Sequence, residues 1–150
     1  MKNKILILDV IVSLFILQLL YTGLIKTFDN HTFREALHKS SYMRSYEGLL
    51  SITVPAGELL TVICLLIPKF RKIGIWIFLV MMTCFTVYVG FMLMFDPDRP
   101  CTCGGIIQQM NWHQHLYFNS AFTILAGVAL WLDKQIKNAV FQKKNHLSYL

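Results

Sequence analysis

The chain has 150 residues, of which 55% are hydrophobic and 15% charged, and its formal net charge is +6. Soluble domains carry about a quarter charged residues, so this composition excludes an ordinary water-soluble domain, and the length leaves room for one domain only. The basic residues flank long apolar runs instead of forming one patch. The excess of basic residues therefore indicates how the spans are oriented in the membrane, and we expect no nucleic-acid partner.

Four apolar runs predict four transmembrane helices. They cover residues 5–25, 49–67, 73–95 and 115–132. Each run has roughly 17–23 residues, enough to cross a hydrocarbon core of about 30 Å at about 1.5 Å per residue. The first run is longer than the apolar part of a signal peptide and lacks a convincing cleavage site, so we expect it to be retained. The predicted fold is an all-α membrane protein, a four-transmembrane-helix bundle in a single domain (1–150) that contacts membrane lipid.

The segment between the first two runs predicts a short amphipathic helix on the outer surface. Residues 27–48 are too many for a turn, and Asp29 or Asn30 can cap a helix there. Phe33 and Leu37 would then share an apolar stripe on one side. We expect this helix to seal the top of the bundle, with a docking surface or a lid as the more specific alternative.

The second run contains Pro55 and Glu58. A proline inside a helix frees the carbonyl one turn earlier and kinks the chain. Glu58 lies about nine residues below the outer end of the run, roughly 13–14 Å deep. An ionised carboxylate is costly at that depth, so Glu58 is expected to be protonated, paired or facing a cavity.

Other polar and sulfur-bearing residues of the spans are expected to be structural. Asp9 lies near the start of the first run and is predicted to be an interfacial acid or a partner of Lys2 or Lys4. Cys64 and Cys84 lie inside the second and third runs, where free cysteines usually pack as small apolar residues.

The distribution of basic residues predicts the orientation. Nine of the 14 Lys and Arg residues lie before the first run, in the turn 68–72 or after the fourth run. By the positive-inside rule both termini are cytoplasmic, and the loops 27–48 and 96–114 face outward. Residues 133–150 form a basic cytoplasmic tail that we expect to be frayed or bound to the membrane surface.

The outward loop 96–114 carries Cys101 and Cys103, followed by two glycines. An oxidising compartment favours disulfides, and a ring closed over a single intervening residue is strained and therefore exchangeable. Such a pair closes almost no loop, which makes a purely stabilising role less favourable. The spacing predicts a redox-active pair, with unreactive loop cysteines as the plainer alternative.

Metal binding is the main chemical alternative to a redox role for this loop. Cys101 and Cys103 with His113 and His115 give a C-x-C…H-x-H set, which suits zinc or copper. The spacing is not that of a common zinc module. We assign no metal ligand and keep metal handling as an alternative.

Polar residues of three spans fall at a similar depth in the outer half. They are Tyr21 on the first, Glu58 on the second, and His115 and Asn119 on the fourth. His115 and Asn119 are four residues apart, so they share a helix face. We predict a polar pocket beneath the cysteine loop that would hold a quinone headgroup, with His115 or Glu58 passing protons. The alternative is a polar network that only holds the bundle together.

The chain carries four distinctive elements: Tyr21-Thr22-Gly23 with Lys26, Pro55-x-x-Glu58, Pro100-Cys101-x-Cys103-Gly104-Gly105 and Trp112-x-x-His115-x-x-Phe118-Asn119. Together they resemble the DoxX-like, MauE-type redox-associated membrane proteins over roughly residues 5–132. The resemblance implies a four-helix bundle in the bacterial inner membrane. MauE is associated with maturation of methylamine dehydrogenase, a disulfide-rich periplasmic enzyme, alongside a thioredoxin-like partner. The fold is also similar to the four-helix cores of DsbB and vitamin K epoxide reductase, which pass electrons from thiols to quinone.

The resulting hypothesis is a membrane-embedded thiol–disulfide oxidoreductase. Cys101 and Cys103 would exchange with a periplasmic thioredoxin-like protein or client, and His115 would lower a thiol pKa or carry protons. Quinone is the candidate acceptor, and its predicted binding residues are Glu58, Tyr21 and Asn119.

A second hypothesis is a non-catalytic subunit of a larger membrane complex. The small size of the chain favours it, together with an aromatic and Met-rich surface on the third helix. That surface would consist of Trp76, Met81, Met82, Phe85, Tyr88 and Met92.

Overall fold

The computed structural model describes residues 2–40, 42–95 and 111–148, and these are almost entirely helical. The helices are α1 (Lys2–Phe28), α2 (Asn30–Lys39), a 3-10 helix (Arg44–Tyr46), α3 (Glu47–Leu66), α4 (Arg71–Phe95) and α5 (Trp112–Ser148). Within these ranges α1, α3, α4 and α5 are each long and apolar enough to cross a membrane. The predicted all-α fold with four spans and a short helix after the first is confirmed.

The spans are apolar on every side. On α1, Phe15 is completely buried, whereas Leu17 is 67% exposed. Ile52 on α3 and Ile124 on α5 are likewise 68% exposed on the outside of the bundle. A helix that is apolar all round belongs in lipid, where it also satisfies its own backbone hydrogen bonds. The outward-facing side chains are therefore the lipid contacts of a multi-pass membrane protein.

The spans pack in the cyclic order α1, α3, α4, α5, with the closest pairings between α4 and α5 and between α1 and α3. The start of α1 and the turn 67–70 lie at one end of the bundle, here called the terminal end. The opposite end, the α2 end, is covered by α2 and the 3-10 helix, which pack on α1 and α3.

An ion pair at the terminal end differs from the predicted one. Asp9 Oδ1 lies 2.7 Å from Arg71 Nη1, at the start of α4. Lys4 instead contacts Gln135 of α5 through a hydrogen bond. Lys4 and Asp9 are five residues apart, whereas side chains meet along a helix at spacings of three or four. Of the two alternatives for Asp9, pairing with Lys2 or Lys4 is therefore wrong, because its partner lies on another helix.

Three phenylalanines form an aromatic layer in the middle of the bundle. The rings of Phe15 and Phe78 stack with centroids 4.0 Å apart and planes 14° apart. Phe122 lies tilted beside both, at 6.2 Å and 6.3 Å. Such pairs stabilise a core by about 0.5–1.5 kcal/mol each beyond the burial of their area. The layer joins α1, α4 and α5.

A backbone carbonyl freed by proline holds α2 on the bundle. Pro55 has no N–H to donate to the carbonyl of Ser51, one turn earlier. Asn30 at the start of α2 donates its side-chain amide to that carbonyl at 2.7 Å. The N-cap residue Asp29 accepts the N–H of Thr32 at 3.3 Å. The predicted amphipathic helix is thus tied to the site where α3 lacks an internal hydrogen bond.

The fourth span is longer than its apolar run. α5 continues without a break from Trp112 to Ser148, and Asp133 pairs with Lys137 one turn later at 2.9 Å. The segment from residue 133 to Ser148 is therefore helical rather than frayed, and the Asp133–Lys137 pair supports its first turn.

We expect Gly74→Ala to destabilise the bundle. A Cβ at residue 74 would lie 2.9 Å from Leu65 Cδ2 and 3.0 Å from the Leu65 backbone nitrogen. At Gly127, the matched control, a Cβ would meet nothing within 4 Å. Overpacking should lower the free energy of unfolding of Gly74→Ala by about 1–3 kcal/mol, whereas Gly127→Ala should gain up to about 1 kcal/mol from helix propensity. Thermal unfolding in detergent checks this, and equal midpoints for the two variants would contradict it.

The hydrogen bond between Asn30 and Ser51 should depend on Pro55. Asn30→Ala leaves the Ser51 carbonyl without a partner and should cost about 1–3 kcal/mol. In a Pro55→Ala background, residue 55 supplies the missing N–H, so the same substitution should cost clearly less. A double-mutant cycle on the free energy of unfolding measures the coupling. Equal losses in both backgrounds would show that Asn30 does not compensate for the proline.

Candidate functional site

A cavity of about 370 Å³ lies at the α2 end, bounded by all four spans and by α2. Its walls are mainly apolar and aromatic, which is usual for a small-molecule site with a few polar groups that fix orientation. The apolar lining comes from Phe33, Leu37, Met43, Leu50, Val54, Phe85, Val89 and Phe118.

An ion pair between α1 and α3 forms part of the wall. Lys26 Nζ lies 2.5 Å from Glu58 Oε1, and the two side chains are only 12% and 2% exposed. The ammonium also lies 5.4 Å from the ring centroids of Phe33 and Phe85. Cation–π contacts of this kind help to offset the desolvation of a buried charge. Glu58 was predicted to be protonated, paired or facing a cavity. It has an ion-pair partner and also lines the cavity.

The cavity wall also gathers buried polar atoms that have no hydrogen-bond partner. In the described part of the chain four such side-chain atoms occur, and three belong to cavity residues: Gln18 Oε1, Glu58 Oε2 and His115 Nδ1. The fourth is Arg71 Nε. An unpaired buried acceptor costs about 1–3 kcal/mol, so an accumulation at one place is typical of a functional site.

The structure brings three of the predicted pocket residues together. Glu58, His115 and Asn119 all line the cavity, and Asn119 is only 3% exposed. Tyr21 is half-buried on α1 and is not among the lining residues, whereas its neighbour Thr22 is. Consecutive helical residues point about 100° apart, which explains why only one of the two reaches the wall. The role of Tyr21 stays a prediction.

Most of the lining was not predicted from the sequence, including the polar residues Gln18, Thr22, Lys26 and Tyr88. Lys26 lies at the end of the first apolar run, where a cation is ordinary, and Gln18 is a single polar residue within that run. The available signal for Lys26 was the depth of Glu58 in its span, since a cation at a similar depth is one way to stabilise an acid there. Lys26 was the basic residue closest to that level.

Cys84 is exposed and lines the cavity, whereas Cys64 is half-buried. The prediction that Cys84 packs as a buried apolar residue is wrong. Cys84 lies next to Phe85 and one turn before Tyr88 on α4, and both of these residues also line the cavity.

Cys101 and Cys103 lie outside the described residues, so their pairing stays a prediction. Among the residues that the structure does describe, no three His, Cys, Asp or Glu side chains are grouped as metal ligands would be. His113 is exposed, whereas His115 lines the cavity. Residues two apart on a helix face different directions, and the joint binding of a metal by these histidines with Cys101 and Cys103 stays a prediction.

The proposed docking surface on the third span is not one surface. Met82 and Met92 are buried at 1% and 0% exposure, and Phe85 and Tyr88 line the cavity. Trp76 remains on the outside at 51% exposure. Five of the six residues lie within about 120° of one another on α4, and this side faces the core and the cavity, whereas Trp76 lies on the opposite side.

The fold and the cavity define a multi-pass α-helical membrane protein with a partly polar site between its spans at one end. The chain belongs to the MauE family: the family described as methylamine utilisation protein MauE matches residues 4–132. That match covers the four spans, and the broader likeness to DoxX proteins stays a prediction. Comparisons with curated proteins and with solved structures gave no match.

The Lys26–Glu58 pair should be strongly coupled. Lys26→Met or Glu58→Gln alone leaves a buried group without its partner and should lower the free energy of unfolding by about 3–5 kcal/mol. The double variant should lose much less than the sum of the two. Asp9→Asn is the matched control, because Asp9 and Arg71 are 46% and 32% exposed and such pairs contribute about 0–1 kcal/mol. Additive losses at residues 26 and 58 would contradict a direct interaction.

Proposed function

We propose that this MauE family member carries out thiol–disulfide redox chemistry at the outer face of a bacterial inner membrane. Cys101 and Cys103 exchange with a periplasmic thioredoxin-like protein or a secreted client. The observation that carries the proposal is the partly polar cavity at the α2 end. α4 ends and α5 begins at that same end, so the chain segment with both cysteines leaves and returns beside the cavity.

The charge distribution supports an outward-facing α2 end. Lys69, Arg71 and Lys72 lie at or beside the turn at the terminal end, together with the two lysines at the start of α1 and the basic residues after the apolar part of α5. The α2 end has fewer basic residues, and Lys26 among them is neutralised by Glu58. By the positive-inside rule this asymmetry favours cytoplasmic termini, which gives Cys101 and Cys103 an oxidising surrounding.

The first reaction is an exchange between disulfides and thiols. A client thiolate attacks one sulfur of the 101–103 disulfide, and the S–S bond breaks as the mixed disulfide forms. The second client thiolate then attacks the mixed disulfide. The client leaves as a disulfide after losing two electrons and two protons, and the 101–103 pair becomes a dithiol.

Reoxidation of the dithiol requires an acceptor, for which we propose a quinone in the cavity. Two electrons and two protons pass from the dithiol to the quinone, which becomes a hydroquinone, and the 101–103 disulfide forms again. His115 and Glu58 are suited to carry these protons because both line the cavity and each has a buried polar atom without a partner. Asn119 and the aromatic walls hold the ring.

Mixed-disulfide trapping tests the proposal. Cells carry the full chain with Cys64→Ser and Cys84→Ser, so that only the loop pair remains, and then Cys103→Ser or Cys101→Ser. The remaining thiol has no resolving neighbour, so one variant should accumulate an adduct with a thioredoxin-like protein or client on non-reducing gels. The variant that lacks both loop cysteines is the matched control. The proposal fails if neither single variant traps a protein or changes client oxidation.

The same preparations separate the other two hypotheses. A non-catalytic subunit would co-purify in constant ratio with a larger complex even after both loop cysteines are replaced. A metal-handling protein would contain metal that is lost on replacing either Cys101 or His113. Either result without thiol trapping replaces the redox proposal.

A further inference from the structure

The cavity reaches the surface of the bundle at Cys84. Of the residues that line it, all within the described part of the chain, Cys84 alone is exposed. Val80 and Val87, each one turn away on α4, are 58% and 65% exposed on the lipid-facing side. Cys84 lies within about 60° of both around the helix, and Tyr88 on its other side lines the cavity. Cys84 therefore marks the border between the lipid-facing side of α4 and the cavity.

This border is on the side of α4 that faces α3. Cys84 is about 60° around the helix from Met81, whose Sδ accepts the hydroxyl of Thr61 on α3 at 3.6 Å. It is about 160° from Thr86, whose hydroxyl lies 3.3 Å from that of Thr123 on α5. The cavity therefore opens toward the lipid between α3 and α4.

The α3 side of this opening has little side-chain bulk. α3 and α4 meet closely nearer the terminal end, where a Cβ at Gly74 would lie 2.9 Å from Leu65 Cδ2. Nearer the α2 end, Val54 lines the cavity, and Gly57 lies about 60° from it around the helix, toward the 59% exposed Leu60. A Cβ at Gly57 would meet nothing within 4 Å. The gap is called the lateral opening, and it is bounded by Val54, Gly57, Cys84 and Tyr88.

The size of the cavity and the position of the lateral opening restrict the ligand. A volume of about 370 Å³ is near the lower end of the range for small-molecule sites, roughly 300–1,000 Å³. It accommodates a ring with short substituents, so a long chain has to extend outside. Cys84 lies near the middle of α4, where the outside is membrane hydrocarbon. Hydrocarbon dissolves an alkyl or isoprenoid chain but strongly disfavours a charged or polar group.

We infer that the ligand of the cavity carries one long apolar chain, which leaves through the lateral opening between α3 and α4. The ligand then enters from the hydrocarbon of the membrane rather than from water. This inference rests on the proposed function, in which a quinone ring occupies the cavity, and adds the chain, its path and the source of the ligand.

Photolabelling tests the path of the chain. The full chain is reconstituted in phosphatidylcholine vesicles with a quinone whose decyl chain carries a diazirine at its far end. A phosphatidylcholine with the same diazirine at the end of one acyl chain is the control probe. Labelled residues are identified by mass spectrometry after irradiation. Each labelling is repeated with an excess of unlabelled decyl quinone, so that only saturable labelling is counted.

Saturable labels from the quinone should concentrate on the lipid-facing residues beside the lateral opening, which are Leu60, Val80 and Val87. Leu17 on α1 and Ile124 on α5 are equally exposed to lipid and should receive no more label than the phosphatidylcholine probe gives them. Saturable labelling spread evenly over the four spans, or none at all, overturns the inference. An equal preference of the phosphatidylcholine probe for the lateral opening also overturns it, because the gap would then be an ordinary lipid groove.

Gly57→Phe should block the lateral opening. Side chains lean toward the N-terminus of their helix, which for α3 is at the α2 end, so the added ring would lie beside Val54. The concentration of decyl quinone that halves the labelling should rise about tenfold, which corresponds to the loss of about two buried methylene groups. Ala56→Phe is the matched control, since residue 56 is exposed on the lipid-facing side of α3, and it should leave this concentration unchanged.

Equal affinities of the folded Gly57→Phe and Ala56→Phe variants would contradict the path through the lateral opening. Should Gly57→Phe fail to fold, the distribution of labels on the unaltered chain still decides the question. The labelling needs neither Cys101 nor Cys103, so its result is independent of the trapping experiment. Trapping without localised labels removes this inference alone, and localised labels without trapping remove the proposed thiol chemistry.

Discussion

The ion pair between Lys26 and Glu58 is the interaction on which the α2 end of the bundle depends. Two charges within an apolar assembly are tolerated only if they are held together and their remaining surfaces are covered. The pair lies 2.5 Å apart between α1 and α3, and rings of α2 and α4 cover the ammonium. Four helices are therefore fixed around one neutral, polar point, and the cavity is the space that this arrangement leaves open.

The position of α2 follows from a second buried polar group that needs a partner. Every backbone carbonyl inside a membrane protein needs a donor, and Pro55 removes the donor for Ser51. Asn30 replaces it from α2. The helix that supplies Phe33 to the ammonium is thus anchored three residues earlier by a carbonyl of α3, so the proline and the ion pair together determine how the cavity is covered.

The spans and the depth of Glu58, His115 and Asn119 were predictable, because hydropathy and helical spacing are local properties of the sequence. The ion-pair partners of the buried and interfacial acids were not predictable. Lys26 sits at the end of an apolar run, where a cation is ordinary, and only the three-dimensional approach of α3 gives it a counterion. Asp9 likewise pairs with Arg71 across the bundle. Residue spacing along α1 alone cannot predict a partner on α4.

The aromatic layer of Phe15, Phe78 and Phe122 lies between the cavity and the terminal end. Gln18 and Asn119 are each one turn or less from this layer on the cavity side, and the packed core continues beyond it toward Leu8 and Leu132. The three rings carry no polar atoms and separate the cavity from the terminal end along α1, α4 and α5. In the proposed reaction, protons would therefore be exchanged with the α2 side alone, so turnover would be electrically silent and would neither generate nor consume a membrane potential.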